Sequence, residues 1–141
     1  MTDTVPFQLR GLDHLVLRIV DEARMLAFYR DVLGAQEERR MGDYGLVQLR
    51  AGAALIDLVT IDGPLGRAGG AAPGATGRNV DHFCLRIEPF DVAALRAHLV
   101  RHGVAVEEVA TRYGADGYGP SIYLRDPEGN TVELKGPPHA D

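Results

Sequence analysis

The chain has 141 residues, of which 45% are hydrophobic and 25% charged, and a formal net charge of −5 at pH 7. These values are typical of one globular domain and argue against a disordered chain or a membrane protein. The negative charge argues against a nucleic-acid partner, because phosphates favour a basic protein face. Cys84 is the single cysteine and the N-terminus has no secretory signal pattern, so we expect a cytoplasmic protein.

The first predicted strand covers residues 12–19. Side chains alternate along a strand, so Leu17 and Ile19 point to one face and His14 and Arg18 to the other. The apolar face suits packing against a helix. The second face carries the polar groups and therefore lines solvent or a cavity.

A helix and three strands complete the first unit. Asp21 is a favourable N-cap, and Gly34 is a favourable stop for an amphipathic stripe with spacings of three and four. Turn residues then separate three strands, which we predict over 36–41, 46–50 and 53–60. The first unit is therefore βαβββ.

A segment rich in Gly, Ala and Pro follows over 63–78 and has no apolar periodicity. We interpret it as a linker between two modules, 11–62 and 79–136, within a single domain that spans 1–141. As a flexible segment it could also move over a site.

The second unit repeats the first. Leu12-Asp13-His14-Leu15-Val16-Leu17-Arg18-Ile19 returns as Val80-Asp81-His82-Phe83-Cys84-Leu85-Arg86-Ile87. The predicted elements again run βαβββ, with a strand over 79–87, a helix from Asp91 to Gly103, and strands over 104–113, 121–125 and 131–135, the residues 114–120 forming a loop. A repeat of this length indicates two copies of one supersecondary unit.

Each unit also places one carboxylate inside an apolar strand. Asp57 lies between Ile56 and Leu58, and Glu133 lies between Val132 and Leu134. A buried carboxylate is costly unless a partner compensates its charge. With the one histidine in the opening strand of each unit, the chain offers two nitrogens and two carboxylates, which suit Zn, Ni, Co, Mn or Fe(II).

Four sequence pieces carry a resemblance to the vicinal oxygen chelate superfamily, which includes glyoxalase I, fosfomycin-resistance thiol transferases, extradiol dioxygenases and bleomycin-binding proteins. They are Asp13-His14, Ala27-Phe28-Tyr29-Arg30-Asp31-Val32-Leu33-Gly34, Val80-Asp81-His82 and Arg125-Asp126-Pro127-Glu128-Gly129-Asn130-Thr131-Val132-Glu133. The resemblance implies an α+β fold in which two tandem βαβββ modules form a curved mixed sheet. It also implies a homodimer, a small-molecule substrate with no nucleic-acid or membrane partner, and a divalent metal ion bound by His14, Asp57, His82 and Glu133.

The implied activity is a glyoxalase-like lyase or isomerase that transfers a proton through an enediolate. Glu133, with Asp57, would be the base. Five further side chains are candidates for binding substrate: Arg18, Arg86, Arg112, Tyr113 and Tyr123. Glyoxalase I usually has glutamate where this chain has Asp57. Without that ligand, the remaining two histidines and one carboxylate resemble the set of the dioxygenases and thiol transferases, and a metal-free binding or resistance protein is a third alternative.

Overall fold

The computed structural model describes residues 5–140, which form two four-stranded sheets with two α-helices. The first module contains β1 (His14–Ile19), α1 (Glu22–Ala27), β2 (Gln36–Met41), β3 (Leu46–Ala51) and β4 (Ala54–Thr60). The second contains β5 (Phe83–Arg86), α2 (Val92–Arg101), β6 (Ala110–Gly114), β7 (Gly117–Arg125) and β8 (Thr131–Lys135). The predicted α+β fold of two βαβββ modules is confirmed.

The two sheets have the same topology. Their strand orders are β1-β4-β3-β2 and β5-β8-β7-β6, and in each sheet only the first pair is parallel. The register is also repeated. Val16 lies opposite Asp57 in the first sheet, and Cys84 lies opposite Glu133 in the second. Both strand carboxylates therefore occupy equivalent positions.

One hydrophobic core serves both modules. Leu17 and Ile19 are fully buried, as the alternation of β1 predicts, and they belong to the same cluster as Leu99, Ile122 and Val132 from the second module. Burial of a Leu or Ile side chain contributes about 1.5–3 kcal/mol. Because this cluster contains residues from both modules, the modules are expected to unfold together.

A buried hydrogen bond also joins the modules. The Tyr29 hydroxyl donates to the Asp126 carboxylate at 2.7 Å. Asp126 also accepts hydrogen bonds from the backbone N–H groups of Glu128 and Asn130, which close its turn. Two of the sequence pieces that carry the family resemblance thus contact each other.

The first helix departs from the prediction in its C-terminal half. Asp21 caps it as expected, since its side chain accepts from the backbone N–H of Arg24 at 3.1 Å. The α-helix ends at Ala27, however, and continues as a π-helix over Phe28–Val32. This wider turn carries Tyr29, which is fully buried against the second module. Packing between modules, rather than local propensity, sets this geometry.

The predicted strand over 104–113 is largely wrong, because strand pairing begins only at Ala110. Val104, Val106 and Val109 pack against the core from an irregular segment, so the apolar residues there reflect burial without strand pairing. The predicted loop over 114–120 is also wrong, since β7 starts at Gly117. A Cβ atom at Gly119 would lie 2.9 Å from the Pro137 carbonyl oxygen, so glycine there reflects a close backbone approach.

The first part of the linker is held in place by Arg18. Its guanidinium donates to the carbonyl oxygens of Gly66, Gly69, Gly70 and Ala71, at 2.7–3.2 Å. These bonds use most of the donors that an arginine has. Within residues 5–140, no helix has both the length and the apolar character needed to cross a bilayer.

Candidate metal centre

The first cluster of candidate ligands, here called the N-terminal half-site, consists of His14, Gln48 and Asp57. The strand register places all three on one face of the first sheet. Asp57 is only 5% exposed, and its two carboxylate oxygens accept hydrogen bonds from the Gln48 amide at 3.2 and 3.3 Å. The buried acid thus already has a partner within the sheet.

The second cluster, here called the C-terminal half-site, consists of His82, Tyr123 and Glu133. Glu133 is 6% exposed, and one of its oxygens lies 3.4 Å from Nε2 of His82. Tyr123 packs edge-to-face on the His82 ring, with 5.5 Å between ring centroids. Burial raises the pKa of Tyr123, and the neighbouring Glu133 charge adds to the rise. The Tyr123 ring therefore holds the His82 imidazole beside the Glu133 carboxylate.

An aspartate orients each histidine. Nδ1 of His14 lies 2.7 Å from a carboxylate oxygen of Asp13, and Nδ1 of His82 lies 2.6 Å from one of Asp81. An ionised carboxylate only accepts hydrogen bonds, so each Nδ1 carries the proton and Nε2 keeps a free lone pair. This arrangement is the usual outer support of a metal-binding histidine.

The same contact affects the protonation of His14. The hydrogen bond to Asp13 raises the pKa of His14, and the charge of Asp57 acts in the same direction. Sequence reasoning recorded the repeated Asp-His pair but gave the aspartates and Gln48 no role. Because Asp13 and Asp81 each precede the repeated histidine, the repeat in the sequence could have indicated the role of these two aspartates.

The geometry of the C-terminal half-site fits a single ion. Two ligand atoms about 2.1 Å from a metal, at a tetrahedral angle, lie about 3.4 Å apart. The separation between His82 Nε2 and the Glu133 oxygen is 3.4 Å. One imidazole nitrogen and one carboxylate oxygen form a suitable partial donor set for Zn or a similar borderline ion. The residues present therefore fit the implied metal.

The four predicted ligands do not form one cluster. Among residues 5–140, no group of three or more His, Cys, Asp or Glu side chains is placed to hold a metal ion. The chain instead presents two pairs, His14 with Asp57 and His82 with Glu133. Each pair offers half of the ligands that a closed site needs, so a complete site requires that the two pairs meet.

The predicted substrate-binding residues fall into two groups. Tyr123 belongs to the C-terminal half-site and Arg112 borders it: the Arg112 guanidinium lies 4.4 Å from the centre of the Tyr123 ring and donates to Ser121. Arg86 is instead paired with Asp116 at 2.6 Å. Tyr113 is opposite Tyr118, on the sheet face that carries Ile122 and Leu124, and so points away from Glu133.

Arg18, the remaining predicted substrate-binding residue, is engaged with the linker carbonyls. Its guanidinium therefore supports the loop over 66–71. Cys84 lies opposite Glu133 in the sheet. Burial raises the pKa of the Cys84 thiol to about 11, with the Glu133 charge as the next cause. At neutral pH this cysteine is a protonated, weakly nucleophilic side chain.

Comparisons with known proteins identify the family and the fold of the chain. Residues 11–134 match the family model described as "Glyoxalase/Bleomycin resistance protein/Dioxygenase superfamily". The chain is 26% identical to Virulence protein STM3117 of Salmonella typhimurium strain LT2, over 94% of this chain and 88% of that protein. An integron cassette protein from the mobile metagenome of V. cholerae is 27% identical, with a TM-score of 0.73 over 94% of this chain and 98% of that one. Lactoylglutathione lyase from Agrobacterium tumefaciens has the same fold at 22% identity, with a TM-score of 0.64 over 91% and 94%.

Proposed function

The chain belongs to the Glyoxalase/Bleomycin resistance protein/Dioxygenase superfamily, and we propose that it is a metal-dependent lyase or isomerase of the glyoxalase type. The observation that carries the proposal is the His82–Glu133 pair, in which a buried carboxylate lies beside an imidazole whose Nδ1 is held by Asp81. His14 and Asp13 repeat half of this arrangement in the other module. A bound divalent ion would supply Lewis acidity toward two neighbouring substrate oxygens.

The protein side chains would perform the proton transfer. The Glu133 carboxylate accepts the proton of a substrate C–H group next to the carbonyl that the metal would activate. It then returns the proton to the former carbonyl carbon. Tyr123 and Arg112 form one wall of the site, where they orient the substrate and reduce the access of water.

We further propose that the site forms across a homodimer, with His14 and Asp57 from one protomer and His82 and Glu133 from the other. Two features support this arrangement. The pairs are separate within one chain. The segment before β1 also exposes several apolar side chains, with Leu9 at 92% and Leu12 at 90%, which an interface would cover.

A mixing experiment tests the dimer. Protein carrying His14→Ala and protein carrying His82→Ala each lose both sites of a symmetric dimer. After subunit exchange, the mixed dimer has one site with both histidines intact, so about a quarter of the wild-type sites return. Metal content and turnover of the mixture report this recovery. If each chain closed its own site, mixing would restore nothing.

Metal analysis and an activity assay test the function. Protein purified without chelator is expected to contain a divalent metal and to convert the hemithioacetal of methylglyoxal and glutathione into lactoylglutathione, followed by absorbance. His82→Ala should abolish both, whereas His102→Ala, at an exposed helix end, should change neither. Wild-type protein that takes up no metal, or binds it without any turnover of that substrate, would contradict the glyoxalase assignment.

One observation favours a second candidate. Because the Gln48 amide already donates to both Asp57 oxygens, His14, His82 and Glu133 could be the complete ligand set. Two histidines and one carboxylate leave positions open for substrate and a co-substrate, as in extradiol dioxygenases or thiol transferases. Ring cleavage of catechol by Fe(II)-loaded protein, or addition of glutathione to fosfomycin, would support this candidate. A metal-free protein that still binds a small molecule would instead indicate a binding or resistance module.

A further inference from the structure

Two arginines line two neighbouring cavities, one of which adjoins the C-terminal half-site. One cavity, of about 270 Å³, is bordered by His82 and Tyr123 together with Arg78 and Arg125. The other, of about 140 Å³, lies where the modules meet and is bordered by the same two arginines and Arg18. Since Arg78 and Arg125 belong to both linings, they stand where the two cavities adjoin.

The strand register aligns Arg125 with the proposed catalytic carboxylate. In the pairing of β7 with β8, Tyr123 lies opposite Glu133 and Arg125 lies opposite Thr131. Positions two residues apart on a strand share a face and are about 7 Å apart. A small molecule with one end beside Glu133 therefore has Arg125 within reach of its other end.

The charges of these two arginines are free for a ligand. Within residues 5–140, neither Arg78 nor Arg125 makes an ion pair or a side-chain hydrogen bond, whereas Arg50 and Arg86 are each paired with a carboxylate. The linker carbonyls use the guanidinium of Arg18.

Two of the three acids that line the cavities have hydrogen-bond partners other than the two arginines. Glu128, which borders the smaller cavity, accepts hydrogen bonds from the backbone N–H groups of Val20 and Asp21. In the larger cavity, Asp81 is bonded to His82. The remaining acid is Glu107, which forms no ion pair among the described residues.

We propose that Arg78 and Arg125 bind an anionic oxygen group, a carboxylate or a phosphate-like group, of the small molecule that reacts beside Glu133. Guanidinium groups bind such groups through paired, charge-assisted hydrogen bonds. The smaller cavity has several times the volume that one water needs, so it can hold a group of this size. The inference rests on the proposed function and defines its substrate class as a small organic acid.

Phosphate binding tests the anion site without the metal. Full-length, chelator-treated protein is titrated with inorganic phosphate, and the shifts of backbone amide NMR signals are followed. Saturable shifts should cluster near residues 78 and 125. Because charge-assisted hydrogen bonds to each arginine would be lost, Arg78→Gln with Arg125→Gln should weaken binding about tenfold or more. Arg101→Gln, an equal loss of charge on the exposed end of α2, should leave it unchanged. The absence of saturable shifts, or equal weakening by Arg101→Gln, would overturn the site.

Kinetics then separate a substrate group from a free anion. With metal-loaded protein and the glutathione hemithioacetal, whose carboxylates are the anionic groups, the double arginine variant should raise KM about tenfold or more with little change in kcat. Phosphate binding together with an unchanged KM would contradict the substrate assignment. The phosphate titration needs no metal. If the protein bound phosphate at these arginines but bound no metal, the proposed enzyme would be refuted and the anion site would stand.

Discussion

The two half-sites are built from the same repeat, yet only one of them has its carboxylate close to its histidine. In the C-terminal half-site, a Glu133 oxygen lies 3.4 Å from Nε2 of His82. In the N-terminal half-site, Asp57 has the equivalent register position but is one methylene shorter, and its oxygens are bonded to Gln48. The difference indicates that register places a ligand on the correct face, whereas side-chain length and neighbours decide what it contacts.

Replacing the two carboxylates should have very unequal effects on metal binding. Loss of a residue that hydrogen-bonds to a metal ligand typically weakens metal affinity about 10–100-fold. Glu133→Gln removes a proposed ligand itself, so it should weaken metal affinity about a hundredfold or more. Asp57→Asn should cost less than about tenfold, because Gln48 already engages that side chain. Titration of each chelator-treated variant with Zn, followed calorimetrically, measures both. Equal losses would show that Asp57 is a full ligand and would remove the second candidate function.

Tyr29→Phe should weaken the contact that sets the two modules relative to each other. The variant loses one buried hydrogen bond to a charged group, so the free energy of unfolding should fall by about 2 kcal/mol. Asp126 keeps its other donors and is not left unpaired. Tyr113→Phe, at an exposed tyrosine, should change stability by less than about 0.5 kcal/mol. Denaturant unfolding measures both variants.

The Tyr29 contribution should also depend on pH. Burial, followed by the charge of Asp126, raises the pKa of Tyr29 well above its ordinary value of 10.0. Above pH 10 the unfolded chain loses this proton while the native state keeps it, so the contribution is complete below pH 10 and decreases as the pH rises further. The stability difference between wild type and Tyr29→Phe should narrow in that range. A constant difference would contradict a raised pKa.

Asp13→Asn and Asp81→Asn should have similar and smaller effects, because both aspartates make the same contact at nearly the same distance. Each is expected to weaken metal affinity about tenfold through poorer orientation of its histidine. Asp43→Asn, in an exposed turn, is the matched control. Competition with a fluorescent zinc chelator measures the change. If one aspartate mattered and the other did not, the two half-sites would differ in their histidines as well as in their acids.

Sequence reasoning predicted the features that depend on local periodicity. Alternation along β1 placed Leu17 and Ile19 in the core, and the repeated octet predicted the two-module fold. The segment over 104–109 was misread because its valines pack without a strand partner. Closely spaced apolar residues indicate burial, and an irregular segment that packs against a core can have them as well as a strand can.

The details of the site depended on contacts that no local pattern encodes. The bond between Gln48 and Asp57 requires the register of β3 with β4. The hold of Arg18 on the linker requires the conformation of a loop about fifty residues away. We propose that the two ligand pairs meet across a dimer, and no pattern within one sequence encodes how two copies of a chain assemble.

Arg18 and Arg86 occupy the same position in the repeated octet, but their side chains make different contacts. The first has become part of the scaffold of the connecting segment, which exists only after the first module. The second forms an ion pair with Asp116 on the exposed surface. A residue that is identical in two internal repeats can therefore have a different role in each, because its contacts depend on the surrounding segments. Sequence identity between repeats indicates a common origin and does not by itself indicate a common function.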